Sequence, residues 1–385
     1  MRRVTALLAA VGAMLVLYAG GVLAQEAPGG SSAGGAERYI VVLNDSVPGP
    51  GQVANEHARA HGASVGFVYR HAIKGYSAAI PENRLEAIED DPRVDYVEPD
   101  GVAKAVEQVK PWGIDKIDAD TSSTLAGNGS GAVSNVNAYI IDSGIDAAHA
   151  DLNVVGHVNF AGGKNTDCNG HGTHVAGTVA ARDNTSEVVG VAPGAPLTGV
   201  KVLGCSGSGT WSGVIAGIDW VSANAVKPAV ANMSLGGGAN RAVDDAVRRS
   251  AGSGVFYALA AGNESVNACN SSPARAGAGT NNGIATVAAT NSADREASWS
   301  NYGSCVDIWA PGVSILSTRK GGGTTTMSGT SMASPHGAGG AALYLSSNTT
   351  ASPSLVESAL KSTATTTANK SKDGRTITRE YVGRF

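Results

Sequence analysis

Charge is scarce in this sequence: Asp, Glu, Lys and Arg make up 16% of its 385 residues, well below the roughly 25% usual for soluble domains. Aromatic residues are fewer still, at 5%. No long basic run occurs, and a net charge of −4 excludes the electropositive footprint of a nucleic-acid binder. No internal repeat stands out. Glycine, by contrast, is abundant, with 52 positions, about twice the usual ~7%. Such a chain is built from tight turns and close backbone approaches rather than long solvated helices. At 385 residues with 42% hydrophobic content, it is too long for one ordinary domain and comfortable for two.

The first residues read as an export signal. Arg2 and Arg3 precede an apolar stretch from Ala6 to Leu23, and Val22-Leu23-Ala24 offers small or modest residues for cleavage. A membrane anchor is the alternative, since the stretch is almost long enough to span. The charged start, the cleavage site and the Gly/Ser-rich segment that follows favour a signal peptide over residues 1–24. Residues 25–37 then read as a flexible linker. Export implies an oxidising compartment and a secreted protein, in which the four cysteines can pair in three ways.

Residues 38–104 show the order β-α-β-β-α-β. Strand-like runs lie at Tyr39 to Leu43, Ser64 to Tyr69, Gly75 to Ile80 and Val94 to Val97, with helices over Gln52 to His61 and from Pro81 to Asp90. This is the ferredoxin-like split βαβ arrangement. From residue 105 onward the pattern becomes α/β. Apolar strands are expected at Asn137 to Ile141, Leu197 to Val202, Val230 to Met233, Val255 to Ala260 and Ile284 to Ala289. Helices are expected at His174 to Ala181, Ser212 to Ala223, Ala239 to Ser250 and Ser334 to Ser346. That alternation implies a parallel sheet with helices on both faces.

Three segments carry the chemistry. An apolar strand ends in Asp142; His171 lies between glycines in Asn-Gly-His-Gly-Thr-His-Val; Ser331 stands in Ser-Gly-Thr-Ser-Met-Ala-Ser-Pro just before a helix. An Asp can orient a His, and the His can take the proton of a Ser hydroxyl, which is otherwise a poor nucleophile. The order Asp, His, Ser is that of subtilisin. Chymotrypsin reads His, Asp, Ser, and the α/β-hydrolases read Ser, acid, His. Gly329 to Ala333 nearly fits a hydrolase nucleophile elbow, but only His336 follows Ser331, in the same helix region, so that reading fails. Cys168, His171 and His174 are spaced like metal ligands, yet no second cluster matches them and an exported Cys belongs in a disulfide.

At these motifs the chain from Pro111 to Ala368 resembles the subtilase superfamily, in the branch of proteinase K and aqualysin. Pro111-Trp112-Gly113, Asn232 to Gly237, Ala260 to Asn263 and Ser300 to Ser304 carry the likeness beside the three motifs above. Residues 38–104 resemble that family's inhibitory propeptide, leaving 105–385 as the catalytic domain. The resemblance implies a secreted, monomeric serine endopeptidase acting on proteins and peptides, free of the membrane once its signal is removed. Its propeptide would chaperone and inhibit it, with Tyr96 to Lys104 lying in the cleft and cleavage near Ala103 to Val106.

The same resemblance assigns roles. Asn263 would donate to the oxyanion, with the Ser331 N–H as second donor. Gly207-Ser208-Gly209 and Ser234-Leu235-Gly236 would flank an extended substrate. Trp211 would line a distal pocket. Ala260, Ala261 and Gly262 would form an uncharged wall for an apolar or aromatic P1 residue. Cysteine pairing would follow as Cys168 with Cys205 and Cys269 with Cys305, each bridge contributing about 3–4 kcal/mol on the chain-entropy account. Structural calcium would be held by Asp307 and the carbonyls of Asn282 and Ile284. Where the family usually reads Pro-His-Val-Ala-Gly after the nucleophile, this chain reads Pro335-His336-Gly337-Ala338-Gly339-Gly340. Glycine for an apolar helix residue costs roughly 1 kcal/mol, and with Gly337 and Gly340 in this helix thermal stability is in doubt. A relative lacking catalysis is the different-class alternative, and all three motifs being intact argues against it. An esterase or lipase is the remaining enzyme alternative.

Overall fold

A computed structural model describes residues 36–101 and 108–385. The expected signal peptide, most of the linker and the cleavage region near Ala103 to Val106 lie outside the described residues. The chain divides into two compact units, Met1–Lys104 and Ala105–Phe385. Among the described residues no helix is long and apolar enough to cross a membrane.

The first unit contains β1 (Ala36–Leu43), α1 (Pro50–His61), β2 (Ser64–Tyr69), β3 (Gly75–Pro81), α2 (Leu85–Glu89) and β4 (Val94–Pro99). Its antiparallel sheet has the order β2-β3-β1-β4, the split βαβ arrangement expected from the sequence. Pro50 opens α1 and Gly62, at φ 70°, closes it, because only glycine enters that left-handed turn without a Cβ penalty. The second helix is shorter than expected. Glu82–Arg84 wind as a 3₁₀ turn before it, and Ile88 alone is buried to hold it.

The second unit is built on β5 (Asn137–Asp142), β6 (Val154–Asn159), α3 (His171–Ala180), β7 (Leu197–Lys201), α4 (Trp211–Asn224), β8 (Ala229–Met233), α5 (Arg241–Gly252) and β9 (Val255–Ala260). It continues through β10 (Ile284–Thr290), β11 (Ile308–Pro311), α6 (Thr330–Ser347), α7 (Pro353–Thr363), β12 (Thr365–Lys370) and β13 (Thr376–Arg379). The nine-stranded sheet runs β12-β13-β11-β10-β9-β8-β5-β7-β6, parallel except at the β12 edge. The five apolar strands expected from the sequence form its middle. Missed were β6, only half-buried and interrupted by Gly156, the four-residue β11, and the Thr-rich pair β12 and β13. None carries an apolar run long enough to announce a strand.

Alternate residues of the strands feed two cores. Ile140, Phe256 and Ala258 face α3, α6 and α7, where Val175, Leu343 and Val356 pack. Ile141, Tyr257 and Leu259 face α4 and α5, where Ile218 and Val247 pack.

Helix α6 begins at Thr330, so Ser331 lies inside its first turn rather than before it. The sequence misled because Pro335 stands inside the helix. Proline cannot donate to the carbonyl four residues back, here that of Ser331. The Ser234 hydroxyl donates to that carbonyl instead, at 2.7 Å. Tertiary packing also bears on Gly337 and Gly340. A Cβ at Gly340 would overlap the Glu380 carboxylate, and one at Gly337 would lie 3.1 Å from Val287. Close packing against Glu380 and Val382 calls for a small residue at Gly340, whereas at Gly337 a Cβ would need Val287 to give by a few tenths of an ångström.

Candidate active site

The carboxyl ends of β5, β7, β8 and β9 meet where the strand order reverses beside β5, the usual place for a site in an open parallel sheet. Asp142 ends β5 and is wholly buried. Its Oδ1 accepts from the Ser143 N–H at 2.6 Å and pairs with His171 Nδ1 at 2.8 Å. That leaves His171 Nε2 as the ring's second nitrogen, able to act as base.

Helix α3 must start against this turn, and its first N–H groups need acceptors. Ser143 Oγ accepts from Gly172 N–H, and the buried Asp167 carboxylate accepts from the N–H groups of Asn169, Gly170 and Thr173. Ser143 Oγ in turn donates to Asp167 at 3.0 Å. A Cβ at Gly172 would overlap the Gly144 carbonyl, so only glycine lets the helix approach. Burial works against a charged His171, but the Asp142 charge and hydrogen bond, with Asp167 behind, outweigh it and raise the pKa. The imidazole therefore holds its proton to a higher pH than an ordinary histidine. Sequence reasoning missed Asp167 because its partners are backbone N–H groups and the hydroxyls of Ser143 and Thr173, none of which marks a carboxylate in the sequence.

Ser331 Oγ donates to the Ser234 carbonyl at 3.2 Å, and no hydrogen bond joins it to His171 in this structure. Ser234 thus holds the Ser331 carbonyl and hydroxyl together. Asn263 is fixed from one side: its Oδ1 accepts from the N–H and hydroxyl of Thr330, at 2.8 and 2.9 Å. A backbone N–H can only donate, so the accepting atom must be the amide oxygen, which leaves Nδ2 as a free donor. The Ser331 N–H, in the first turn of α6, has no intrahelical acceptor either. Thr330 was not singled out by the sequence, since a Thr beside the nucleophile carries no signal of its own.

Two cavities of about 500 and 530 Å³ share Ser234 to Gly238. Asn169, His171, Gly207, Ser208, Gly209 and Trp211 line the first. Ala260, Ala261, Gly262, Asn263 and Ser331 line the second. The wall expected to be uncharged also holds Glu264, whose carboxylate accepts from Asn301 Nδ2 at 2.8 Å. Cys168 is bonded to Cys205 and Cys269 to Cys305. The first bridge, with Asn169 Nδ2 donating to the Cys205 carbonyl at 3.0 Å, ties the His171 loop to the segment leading into Gly207.

Asp307, Asn282 and Ile284 do lie together, but not as a set open to calcium. Asp307 Oδ1 faces Lys361 Nζ at 3.0 Å, and its other oxygen accepts from Thr286 N–H at 2.9 Å. The Asn282 amide donates to the Ala276 carbonyl. No cluster of three or more His, Cys, Asp or Glu able to hold a metal occurs among the described residues. These donors fit a calcium ion poorly, because an ammonium already stands against the only carboxylate of the expected set.

A buried Asp–His pair and a helix-borne Ser at the carboxyl ends of a parallel sheet define a serine hydrolase of the α/β type. The chain belongs to the subtilase family, whose model matches residues 134–381. A second family model, peptidase inhibitor I9, matches residues 38–105. The alkaline serine exoprotease A of Vibrio alginolyticus is 44% identical over 86% of this chain, and the match spans 64% of that relative's length. The extracellular serine proteinase of Thermus sp. strain Rt41A is 46% identical, over 78% of this chain and 73% of its own. A crystal structure of a cold-adapted subtilisin-like serine proteinase superposes with a TM-score of 0.63 at 44% identity, covering 72% of this chain and 98% of that one.

Proposed function

We propose that the protein is a secreted serine endopeptidase, made as a self-processing zymogen, that opens peptide bonds through an acyl-enzyme. The observation that carries this reading is the buried Asp142 bonded to His171 at 2.8 Å, beside a cleft that also holds Ser331 and Asn263. In the reaction His171 Nε2 takes the Ser331 proton as Oγ attacks the scissile carbon. Asp142 keeps the imidazole in the tautomer with Nε2 free, and stabilises the imidazolium that forms. The oxyanion receives Asn263 Nδ2 and the Ser331 N–H, donors already oriented before charge develops. His171 then hands its proton to the leaving amine, and water releases the acyl group by the reverse sequence.

An extended peptide between Gly207 to Gly209 and Ser234 to Gly236 would bind through its main chain, making specificity broad. The P1 side chain enters the cavity of Ala260, Ala261 and Gly262, which favours apolar and aromatic residues. The I9 unit at 38–105 acts as chaperone and inhibitor of the catalytic unit. Export is supported by the relatives' printed names, exoprotease and extracellular proteinase. Casein hydrolysis blocked by a fluorophosphonate that labels Ser331 tests the whole reading. Intact Ser331 after such treatment, or ester turnover without peptide turnover, would sink it.

Two substitutions probe the cleft. Asn263→Ala should lower kcat by about 10²–10³ with KM little changed, a magnitude carried over from subtilisin itself. Steady-state kinetics on one peptide substrate checks it. Glu264→Gln should lower kcat/KM for a Lys P1 substrate relative to a Phe P1 substrate by about twofold to fivefold, the worth of one exposed carboxylate. Equal effects on both substrates would remove Glu264 from specificity.

A further inference from the structure

Buried carboxylates need compensation, and the turn before β10 meets two of them. Asp307, only 7% exposed in its side chain, has Lys361 Nζ at 3.0 Å. Glu357, fully buried, has the same ammonium at 3.1 Å, one helical turn away on α7. The other Glu357 oxygen accepts from the N–H groups of Gly283 and Ile284, at 2.8 and 3.3 Å. Helix α7 is held in register by the buried Val356 and Leu360. This places Glu357 and Lys361, four residues apart, on one side of the helix toward β10. The ammonium therefore sits between the carboxylate expected to bind calcium and the carboxylate pinned to the turn expected to supply carbonyls.

We propose that Lys361 is the resident cation of this locus, a tethered ammonium that does for Asp307 and the 282–284 turn what a bound divalent ion would do. The charge balance supports it. Two carboxylates against one ammonium leave one negative charge, which three backbone N–H groups (Thr286, Gly283 and Ile284) help to disperse. A calcium ion at Asp307 would have to expel an ammonium that costs no translational entropy to bind. The locus is accordingly indifferent to calcium and to chelators.

The test is a set of thermal scans at one scan rate, with excess EGTA or with millimolar calcium, on mature protein treated with a fluorophosphonate to prevent self-digestion. In the parent, whatever calcium adds to Tm at other places is unchanged by Asp307→Asn. Lys361→Met loses roughly 5 °C or more in EGTA, calcium restores most of it, and Asp307→Asn in that background abolishes the recovery. Two results overturn the proposal: loss of the parent's calcium increment on Asp307→Asn, or no added calcium response in Lys361→Met. Should Lys361→Met not fold, the parent and Asp307→Asn comparison still decides, and Lys361→Arg must keep the parent's indifference to calcium.

Discussion

Ser331→Ala is expected to cut kcat by about 10⁶, and adding His171→Ala to it should cost almost nothing further; both magnitudes carry over from subtilisin. The non-additivity is the informative part. A base without its nucleophile has no proton to take, and a nucleophile without its base keeps a hydroxyl proton that water at neutral pH does not remove. Asp142 is bonded to His171 at 2.8 Å and acts only through it. What survives is the polarising effect of Asn263 Nδ2 and the Ser331 N–H, worth about 10³–10⁴ over uncatalysed hydrolysis. Single and double variants assayed on one peptide substrate check the result, and gels of the secreted product show whether the precursor stays uncleaved. Independent, multiplying losses at Ser331 and His171 would mean that they do not act as a unit.

Glu380→Gln is expected to make the folded protein more stable at alkaline pH by about 5 kcal/mol, with no gain near pH 4. Glu380 is fully buried, and neither carboxyl oxygen has a hydrogen-bond partner in the structure. Gly340 leaves the space it occupies. Burial alone pushes its pKa up to about 8, against about 4.3 in the unfolded chain. Below about pH 4 both states carry the proton and the ionisation adds no cost to folding. Between about pH 4 and 8 the unfolded chain releases the proton while the folded one keeps it, so stability falls as pH rises. Above about pH 8 the loss is complete and constant. The neutral amide of the variant escapes this penalty, and about 2–4 °C of Tm per kcal/mol in a unit this large makes the gap easy to read. Thermal scans of both proteins from pH 4 to 9 check it. A gap that does not widen with pH would mean that Glu380 finds a partner or never changes its charge.

How much was legible follows from the range over which each signal acts. The five central strands of the second unit and their alternation with helices were readable, because burial on both faces writes apolar runs directly into local sequence. The split βαβ order of the first unit was readable from short strand-like runs set between two helical stretches. The motifs around Asp142, His171 and Ser331 were readable for a related reason: each packs its chemistry and its turn geometry into a few adjacent residues. The helix start at Thr330 was not, because Pro335 is tolerated only through Ser234, 97 positions from Ser331.

By itself the sequence determined the family, the two-unit α/β plan and the residue types offered to the site. The tertiary structure alone decided which groups hold them. Asn263 is oriented by Thr330, 67 residues away, and Lys361 reaches Asp307 across 54. Glu264 joins a wall that read as uncharged. These are choices of partner, and the order of strands in the sheet sets them. Neighbours in a parallel sheet are joined by long crossovers, so side chains that meet at its carboxyl edge are seldom neighbours in the chain.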